Sequence, residues 1–268
     1  MKPTTPRIGL LTLEAAFQRA RAEGRPALIT YLTIGYPSPN ATLDLAPALQ
    51  AGGADIIELG VPFSDPVADG LAIQRASYAA LQAGVTPARC LQIASALRDR
   101  GVYVPLVLMG YYNPIFAYGL LRYVRDCVEA GVNGLIVPDL PLEEAGPLRQ
   151  ACELYDLSLI SLVAPTTEES RLERIAAAAR GFLYVVARLG STGAHTGLGP
   201  ELTAQLTRAR QYAHTPIAVG FGISTPEQVR SLAPLTDGIV VGSAIVERAG
   251  QGAAALRDYV QTLRDACR

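Results

Sequence analysis

The sequence has very few of the side chains that enzymes use for covalent or metal chemistry. Its only lysine is Lys2, so the interior of the fold offers no lysine for a Schiff base. Its two histidines, His195 and His214, form no cluster with ligand spacing, which argues against a catalytic zinc site. The chemistry must therefore come from carboxylates, tyrosines, backbone amides and the 25 glycines.

Charge and cysteine usage exclude further classes of protein. The formal net charge of -1 gives no electrostatic footprint for nucleic acid or an anionic membrane. The uncharged stretch 102–121 is about as long as a membrane span, but prolines and a glycine interrupt it. The N-terminus shows no signal-peptide pattern, so we expect a cytoplasmic protein with reduced thiols. No metal or redox spacing relates its four cysteines, which are Cys90, Cys127, Cys152 and Cys267.

The rest of the chain alternates between short apolar runs and helical patterns. After a helix over 13–23, eight strands are predicted over 27–34, 54–59, 104–109, 134–137, 157–163, 182–187, 217–220 and 238–241. Eight strand–helix units without a break in composition predict one domain over 1–268. Its fold would be an α/β (β/α)8 TIM barrel with an extra N-terminal helix. An open doubly wound sheet stays possible, because counting units does not prove closure.

Turn and capping residues predict where several helices begin and end. Ser38 followed by Pro39 has the pattern of an N-cap and a first helical residue. Apolar periodicity predicts single helices over 116–130, 142–154 and 168–179, the last capped by Thr166 or Thr167.

The stretch 56–70 is the centre of the chemistry. Alternation along its strand places Ile56 and Glu58 on one face, and Ile57 and Leu59 on the other. A carboxylate in such an apolar run is costly to bury unless it has a partner or a function. A core glutamate with satisfied hydrogen bonds is the simple alternative. A second carboxylate, Asp69, follows in a loop rich in proline and glycine, which favours an acid–base pair.

Glycine-rich loops follow the last three predicted strands. Segments 220–224 and 241–244 each bring backbone amides to a helix N-terminus, an arrangement that binds phosphate without a basic side chain. The loop 190–199 is long and built of small residues, which favours a mobile lid over a loose connection. Arg188 is a lid anchor, a surface charge or a phosphate ligand, and His195 is expected to be a polar lid residue. His214 is expected at the surface.

Several segments resemble the tryptophan synthase alpha subunit family, and the similarity runs nearly end to end. The segments are 33–37, 56–70, Ile73-Gln74, Asn113-Pro114, 137–141, Thr192-Gly193, 220–224 and 242–246. The resemblance implies cleavage of indole-3-glycerol phosphate to indole and glyceraldehyde 3-phosphate. It implies a beta subunit as partner, in an alpha2beta2 heterotetramer, at the surfaces 62–66 and Asn113-Pro114. It implies no cofactor in this chain, with pyridoxal phosphate only in the beta subunit.

The same resemblance assigns roles to residues. Glu58 and Asp69 match the catalytic carboxylates, and Arg188 and Thr192 lie in the lid, where Thr192 matches the residue that closes onto the aspartate. The indole pocket would be lined by Tyr31, Leu108, Ile136 and Tyr184. The phosphate would be bound by Gly193, Gly222, Gly242 and Ser243.

Three departures and two alternatives accompany this interpretation. Leu71 stands where the family usually has proline, Tyr31 often corresponds to phenylalanine, and the run 187–191 before Thr192 is unusual. One alternative is a phosphosugar isomerase or epimerase on the same barrel. The other is a non-catalytic subunit that activates a partner enzyme. The lyase is favoured because indole, once protonated at C3, is its own electron sink and needs neither lysine nor metal.

Overall fold

The computed structural model describes residues 12–187 and 200–268. In this part of the chain eight parallel strands close into a barrel in sequence order, with the last strand pairing with the first. The prediction of a (β/α)8 barrel is therefore confirmed, and the open sheet is excluded. The strands are β1 (Ala27–Thr33), β2 (Ile56–Gly60), β3 (Leu106–Met109), β4 (Gly134–Ile136), β5 (Ser158–Val163), β6 (Leu183–Val186), β7 (Ile217–Gly220) and β8 (Gly238–Val241).

Helices surround the barrel, and the predicted extra helix α1 precedes the first strand. The helices are α1 (Leu13–Ala22), α2 (Thr42–Ala51), α3 (Leu71–Gln82), α4 (Pro87–Asp99), α5 (Tyr112–Tyr118), α6 (Leu120–Glu129), α7 (Gly146–Leu154), α8 (Glu169–Ala178), α9 (Pro200–Tyr212), α10 (Pro226–Leu232), α11 (Ser243–Ala249) and α12 (Ala253–Ala266). A short 3₁₀ helix, Ala233–Leu235, follows α10.

The apolar side chains form two separate layers. The inner layer fills the barrel and includes Ile29, Ile56 and Val107. The outer layer lies between the strands and the helices and includes Ile57 and Leu59. This division follows from the alternation of side chains along each strand. The predicted faces of Ile56 and Ile57 are thus confirmed.

The base of the barrel contains a buried ion pair at the start of β2. Arg25 Nη1 donates to Asp55 Oδ2 at 2.6 Å, and the Leu28 backbone N–H donates to the same oxygen at 2.8 Å. Both charged side chains are almost fully buried, so each depends on the other for its solvation. Asp55 therefore stabilises the fold at the end of the barrel opposite to the carboxyl ends of the strands.

Four helix predictions are wrong at their boundaries. Ser38 accepts from the Ala41 N–H in a turn, so α2 begins only at Thr42. The predicted helix 116–130 is two helices, because Gly119 adopts a positive φ of 94° between α5 and α6. Turns occupy 142–145, so α7 begins at Gly146. The Thr167 hydroxyl accepts from the Ala164 N–H instead of capping α8, whose N-cap is Glu168.

The remaining sequence-level expectations concern cysteines, metals and membranes. All four cysteines are buried free thiols. Within 12–187 and 200–268, no group of three or more His, Cys, Asp and Glu side chains is placed to hold a metal ion. A search of the same residues finds no helix long and apolar enough to cross a membrane.

Candidate active site at the carboxyl ends of the strands

Glu58 lies inside the barrel, two residues before the carboxyl end of β2. It is level with Tyr31 of β1 and Val107 of β3 in the strand register. Those two neighbours belong to the inner layer, so Glu58 is a carboxylic acid among apolar and aromatic side chains. Only 1% of its surface is exposed. The structure thus places this residue where (β/α)8 enzymes hold their catalytic groups.

Among residues 12–187 and 200–268, no group donates a hydrogen bond to either oxygen of the Glu58 carboxyl group. This distinguishes it from Asp55, three residues earlier, whose oxygens accept from Arg25 and Leu28. Burial, reinforced by the negative charge of Asp69, raises the pKa of Glu58 to about 8. The described residues therefore do not provide the partners of a satisfied core glutamate, and a pKa of about 8 favours the protonated form of Glu58 at neutral pH.

Asp69 lies in the loop between β2 and α3 and is half-buried. Tyr111 Oη donates to Asp69 Oδ2 at 3.2 Å, and Gln74 Nε2 donates to the Asp69 carbonyl at 2.8 Å. Burial raises the pKa of Asp69 to about 6, and the hydrogen bond from Tyr111 opposes that rise. Asp69 therefore ionises before Glu58 as the pH increases, so one carboxyl group is charged while the other is still neutral.

Two tyrosines of the inner layer stand on either side of the barrel interior. Tyr31 of β1 leans over Gly60, and Tyr184 of β6 leans over Gly220, at the ends of two other strands. A Cβ atom at either glycine would overlap the phenol of the tyrosine above it. These glycines therefore make room for the two aromatic rings. Ile136 of β4 also belongs to the inner layer, so three of the four predicted pocket residues face the interior.

Leu108 is the exception, and its assignment to the pocket is wrong. Its side chain packs in the outer layer, on the side of the barrel wall that faces the helices. Met109, the next residue of β3, belongs to the inner layer and takes the place expected for Leu108. The error is a shift by one residue, which along a strand moves a side chain to the opposite face.

The two glycine segments after β7 and β8 differ in how their helices begin. Gly242 is the N-cap of α11 and provides no side-chain cap, so the first N–H groups of α11 have no intrahelical partner. In contrast, the Gln228 side chain accepts from the N–H groups of Ser224 and Thr225 in a capping box at α10. The bare amides that we expected at both helices are therefore available mainly at Gly242 and Ser243.

The acidic loop and the glycine segment after β8 meet. A Cβ atom on Gly70, the residue after Asp69, would lie 3.7 Å from Ser243 Oγ. A Cβ atom on Gly242 would lie 3.6 Å from the Tyr31 Cβ and 3.8 Å from Ile73 Cδ1. The loop that carries Asp69, Tyr31 and the start of α11 are thus neighbours at the barrel mouth.

A cavity of about 820 Å³ opens at the barrel mouth, next to the loop that carries Asp69. Its wall includes Ala68, Met109, Leu162, Val186 and Phe221, which follow or end several different strands. Among the lining residues that the structure describes, neither Glu58 nor Gly242 appears, so this cavity lies over the ends of β4 and β5 and not around those two residues. Four predicted residues, Arg188, Thr192, Gly193 and His195, lie outside the described residues.

The structure adds two residues that the sequence did not single out. Tyr111, just after β3, contacts Asp69 and is only 4% exposed. Phe221, just after β7, has a positive φ of 89°, which is strained for a bulky side chain, and it lies at the rim of the cavity. The sequence signal that could have identified both residues is their position just after a predicted barrel strand, because functional groups gather there.

Comparisons with known proteins agree with this geometry. Residues 17–268 match the family model described as the tryptophan synthase alpha chain. The curated alpha chain of Roseiflexus sp. strain RS-1 is 50% identical over 253 residues, which cover 92% of this chain and 97% of the relative. The alpha chain of Dehalococcoides mccartyi strain BAV1 is 50% identical over 232 residues, covering 87% and 89%.

Solved structures give the same result at the level of the fold. A structure of Mycobacterium tuberculosis tryptophan synthase superimposes with a TM-score of 0.89 at 37% identity, over 97% of this chain and 99% of that one. The similarity spans the barrel and both carboxylate-bearing segments. This chain belongs to the tryptophan synthase alpha chain family.

Proposed function

We propose that this chain cleaves indole-3-glycerol phosphate to indole and glyceraldehyde 3-phosphate by general acid–base catalysis, as a lyase of tryptophan biosynthesis. One observation carries the mechanism: two carboxyl groups at one barrel mouth have pKa values of about 8 and about 6. Between those pH values Glu58 is a proton donor and Asp69 is an anion. A reaction that protonates one ring atom and develops positive charge on another requires this combination.

Glu58 transfers its proton to C3 of the indole ring. The ring becomes an indolenine with positive charge on its nitrogen, and Asp69 accepts the hydrogen bond of that N–H and stabilises the charge. Glu58, now ionised, takes the proton of the hydroxyl group on the adjacent side-chain carbon. The bond from that carbon to C3 breaks, its electrons return to the ring, and the carbon leaves as an aldehyde. No cofactor is needed in this chain, and no water is consumed.

The surrounding residues hold the two ends of the substrate. Tyr31, Tyr184, Ile136 and Met109 supply an apolar and aromatic wall for the indole. The backbone amides at Gly242 and Ser243 bind the phosphate through oriented N–H groups and the helix dipole. Gly222, after β7, is the third proposed phosphate-binding residue. Gly193 would add a phosphate contact and Thr192 would close onto Asp69. Arg188 would lie at the base of that lid.

A beta subunit that uses pyridoxal phosphate is the proposed partner, in an alpha2beta2 assembly in the cytoplasm. The loop after β2 and the start of α5 are the proposed contact surfaces. They carry exposed apolar side chains, with Val67 85% and Phe116 63% exposed. A bound partner would cover these apolar side chains and remove them from water.

An assay with the purified chain tests the proposed activity. Indole should appear when the chain is given indole-3-glycerol phosphate, with glyceraldehyde 3-phosphate in equal amount. Sugar phosphates that serve isomerases and epimerases should not be turned over. If the chain activated a beta subunit yet released no indole in its presence, it would be a non-catalytic subunit and the proposal would be wrong.

Replacing Gly242 with alanine tests the phosphate site. The added Cβ would have only ordinary contacts, 3.6 Å or more, but the backbone there (φ -114°, ψ -82°) lies outside the α and β regions, so a small fall in melting temperature is expected. The methyl group would stand where the phosphate approaches the backbone, so we expect KM to rise about tenfold with little change in kcat. A matched control is Gly146→Ala, at a position with open space around it and away from the mouth. An unchanged KM in Gly242→Ala would exclude this phosphate site.

A further inference from the structure

Tyr111 connects the barrel scaffold to the loop that carries Asp69. Its hydroxyl group donates to Asp69 Oδ2 at 3.2 Å and accepts from the Ala68 N–H at 3.0 Å. Its ring stacks on Phe63, near the start of the same loop, with centroids 4.9 Å apart and planes at 26°. One side chain therefore contacts both ends of the loop 61–70.

The backbone around Tyr111 is fixed more firmly than the loop it contacts. The Gly110 N–H donates to the carbonyl of Ile136 in β4, and the Tyr112 N–H donates to the Asp139 carboxylate. The loop itself is exposed: 85% of Val67 is accessible. Tyr111 therefore holds the Asp69 side chain from an anchored backbone, while Gln74 holds the Asp69 carbonyl group.

The Asp69 carboxylate has few other interactions that favour its charged form. The groups facing it are Glu58 from β2, Tyr31 from β1, Tyr184 from β6 and Tyr111 itself. None of these is cationic, and in the part of the chain that the structure describes no ion pair involves Asp69. Tyr111 supplies the one hydrogen bond that its carboxylate receives there. That bond favours the anion.

We propose that Tyr111 is a positioning residue, which holds Asp69 ionised and directed towards the mouth without contacting the substrate. The inference rests on the role proposed above for Asp69. The hydrogen bond from the Ala68 N–H to the Tyr111 hydroxyl holds the loop backbone. The hydrogen bond from the hydroxyl to Asp69 Oδ2 favours the ionised carboxylate.

The Tyr111→Phe variant removes both bonds and keeps the ring. We expect kcat/KM for indole-3-glycerol phosphate to fall about tenfold at pH 7. The acid limb of the pH profile should move up by about 0.5 to 1 pH unit, because Asp69 then ionises at higher pH. Partial misfolding would lower the whole profile without moving its limb. Tyr103→Phe, at an exposed tyrosine before the start of β3 and away from the mouth, is the matched control and should leave the profile unchanged.

A double-mutant cycle separates this inference from the proposal for Asp69. In an Asp69→Ala background, which has no side-chain acceptor at this position, Tyr111→Phe should change kcat/KM by less than about twofold, since the group it positions is gone. An acid limb that stays in place in Tyr111→Phe, while Asp69→Asn is nearly inactive, would overturn the role of Tyr111 alone. If Asp69→Asn kept most of its activity, the role of Asp69 would be wrong, and that of Tyr111 with it.

Discussion

Replacing Glu58 with glutamine is expected to lower the rate of indole release by about a thousandfold. Glutamine keeps the size of the side chain but has no proton to give to C3 and cannot take one from the hydroxyl group. Both proton transfers are lost at once, so kcat should fall while KM stays within a few fold. Single-turnover formation of indole measures the effect without interference from product release.

The same position should show the opposite effect on stability. Burial raises the pKa of Glu58 from an ordinary value near 4.5 to about 8 in the folded state. A carboxyl group with a raised folded pKa contributes its full stability below its unfolded pKa, and the contribution is lost as the pH rises towards 8. Glu58→Leu removes the cost of the buried charge. Its free energy of unfolding should therefore exceed that of the wild type by on the order of 3–5 kcal/mol near pH 9, and by much less near pH 5.

Urea unfolding at the two pH values measures this difference. The matched control is Glu173→Leu on the exposed surface of α8, whose effect should not depend on pH in this way. Loss of activity together with a gain in stability is the signature of a group kept for function at the expense of the fold. A Glu58→Leu variant that was less stable than the wild type near pH 9 would contradict the buried, unpartnered carboxyl group.

The Asp69→Asn substitution is expected to lower kcat about 100-fold to 1000-fold. The asparagine oxygen still accepts the indole N–H, so binding is largely retained. What is lost is the negative charge that stabilises the positive nitrogen of the indolenine. Initial rates over a range of substrate concentrations separate the two effects, because KM should change only a few fold.

The pH profile gives this variant a second and more specific readout. In the wild type, kcat/KM should fall below about pH 6, where Asp69 is protonated, and above about pH 8, where Glu58 is ionised. Asp69→Asn should lose the acid limb. Its basic limb should move to lower pH, because the charge that raises the pKa of Glu58 has been removed. An acid limb that persisted in Asp69→Asn would show that another group controls it.

Much of this architecture can be predicted from the sequence because local and global signals agree. The predicted bounds of β7 and β8 match the structure at every residue, since each is a short apolar run between turn residues. The placement of Glu58 follows from the same reasoning. Alternation along β2 puts it on the face shared with Ile56, and the barrel makes that face the interior.

Features that depend on contacts between distant segments could not be predicted. The helices α5 and α6 are separated at Gly119, which has a positive φ. The apolar periodicity continues across this glycine, so the sequence pattern alone predicts a single helix. The choice between Leu108 and Met109 as the pocket residue depends on which face of β3 each side chain occupies. Matching the sequence to the family pattern placed this position one residue too early. The hydrogen bond from Tyr111 to Asp69 joins residues 42 positions apart, and the sequence shows no signal for that pair.

Titration of the two carboxyl groups in the free chain tests the central claim most directly. The chain would be labelled with ¹³C at the glutamate and aspartate carboxyl carbons, and their chemical shifts followed from about pH 4 to about pH 10. Spectra of Glu58→Gln and Asp69→Asn assign the two signals. The account predicts that Asp69 titrates near 6 and Glu58 near 8. A Glu58 signal that titrated near the ordinary glutamate value of about 4.3, or before Asp69, would contradict it.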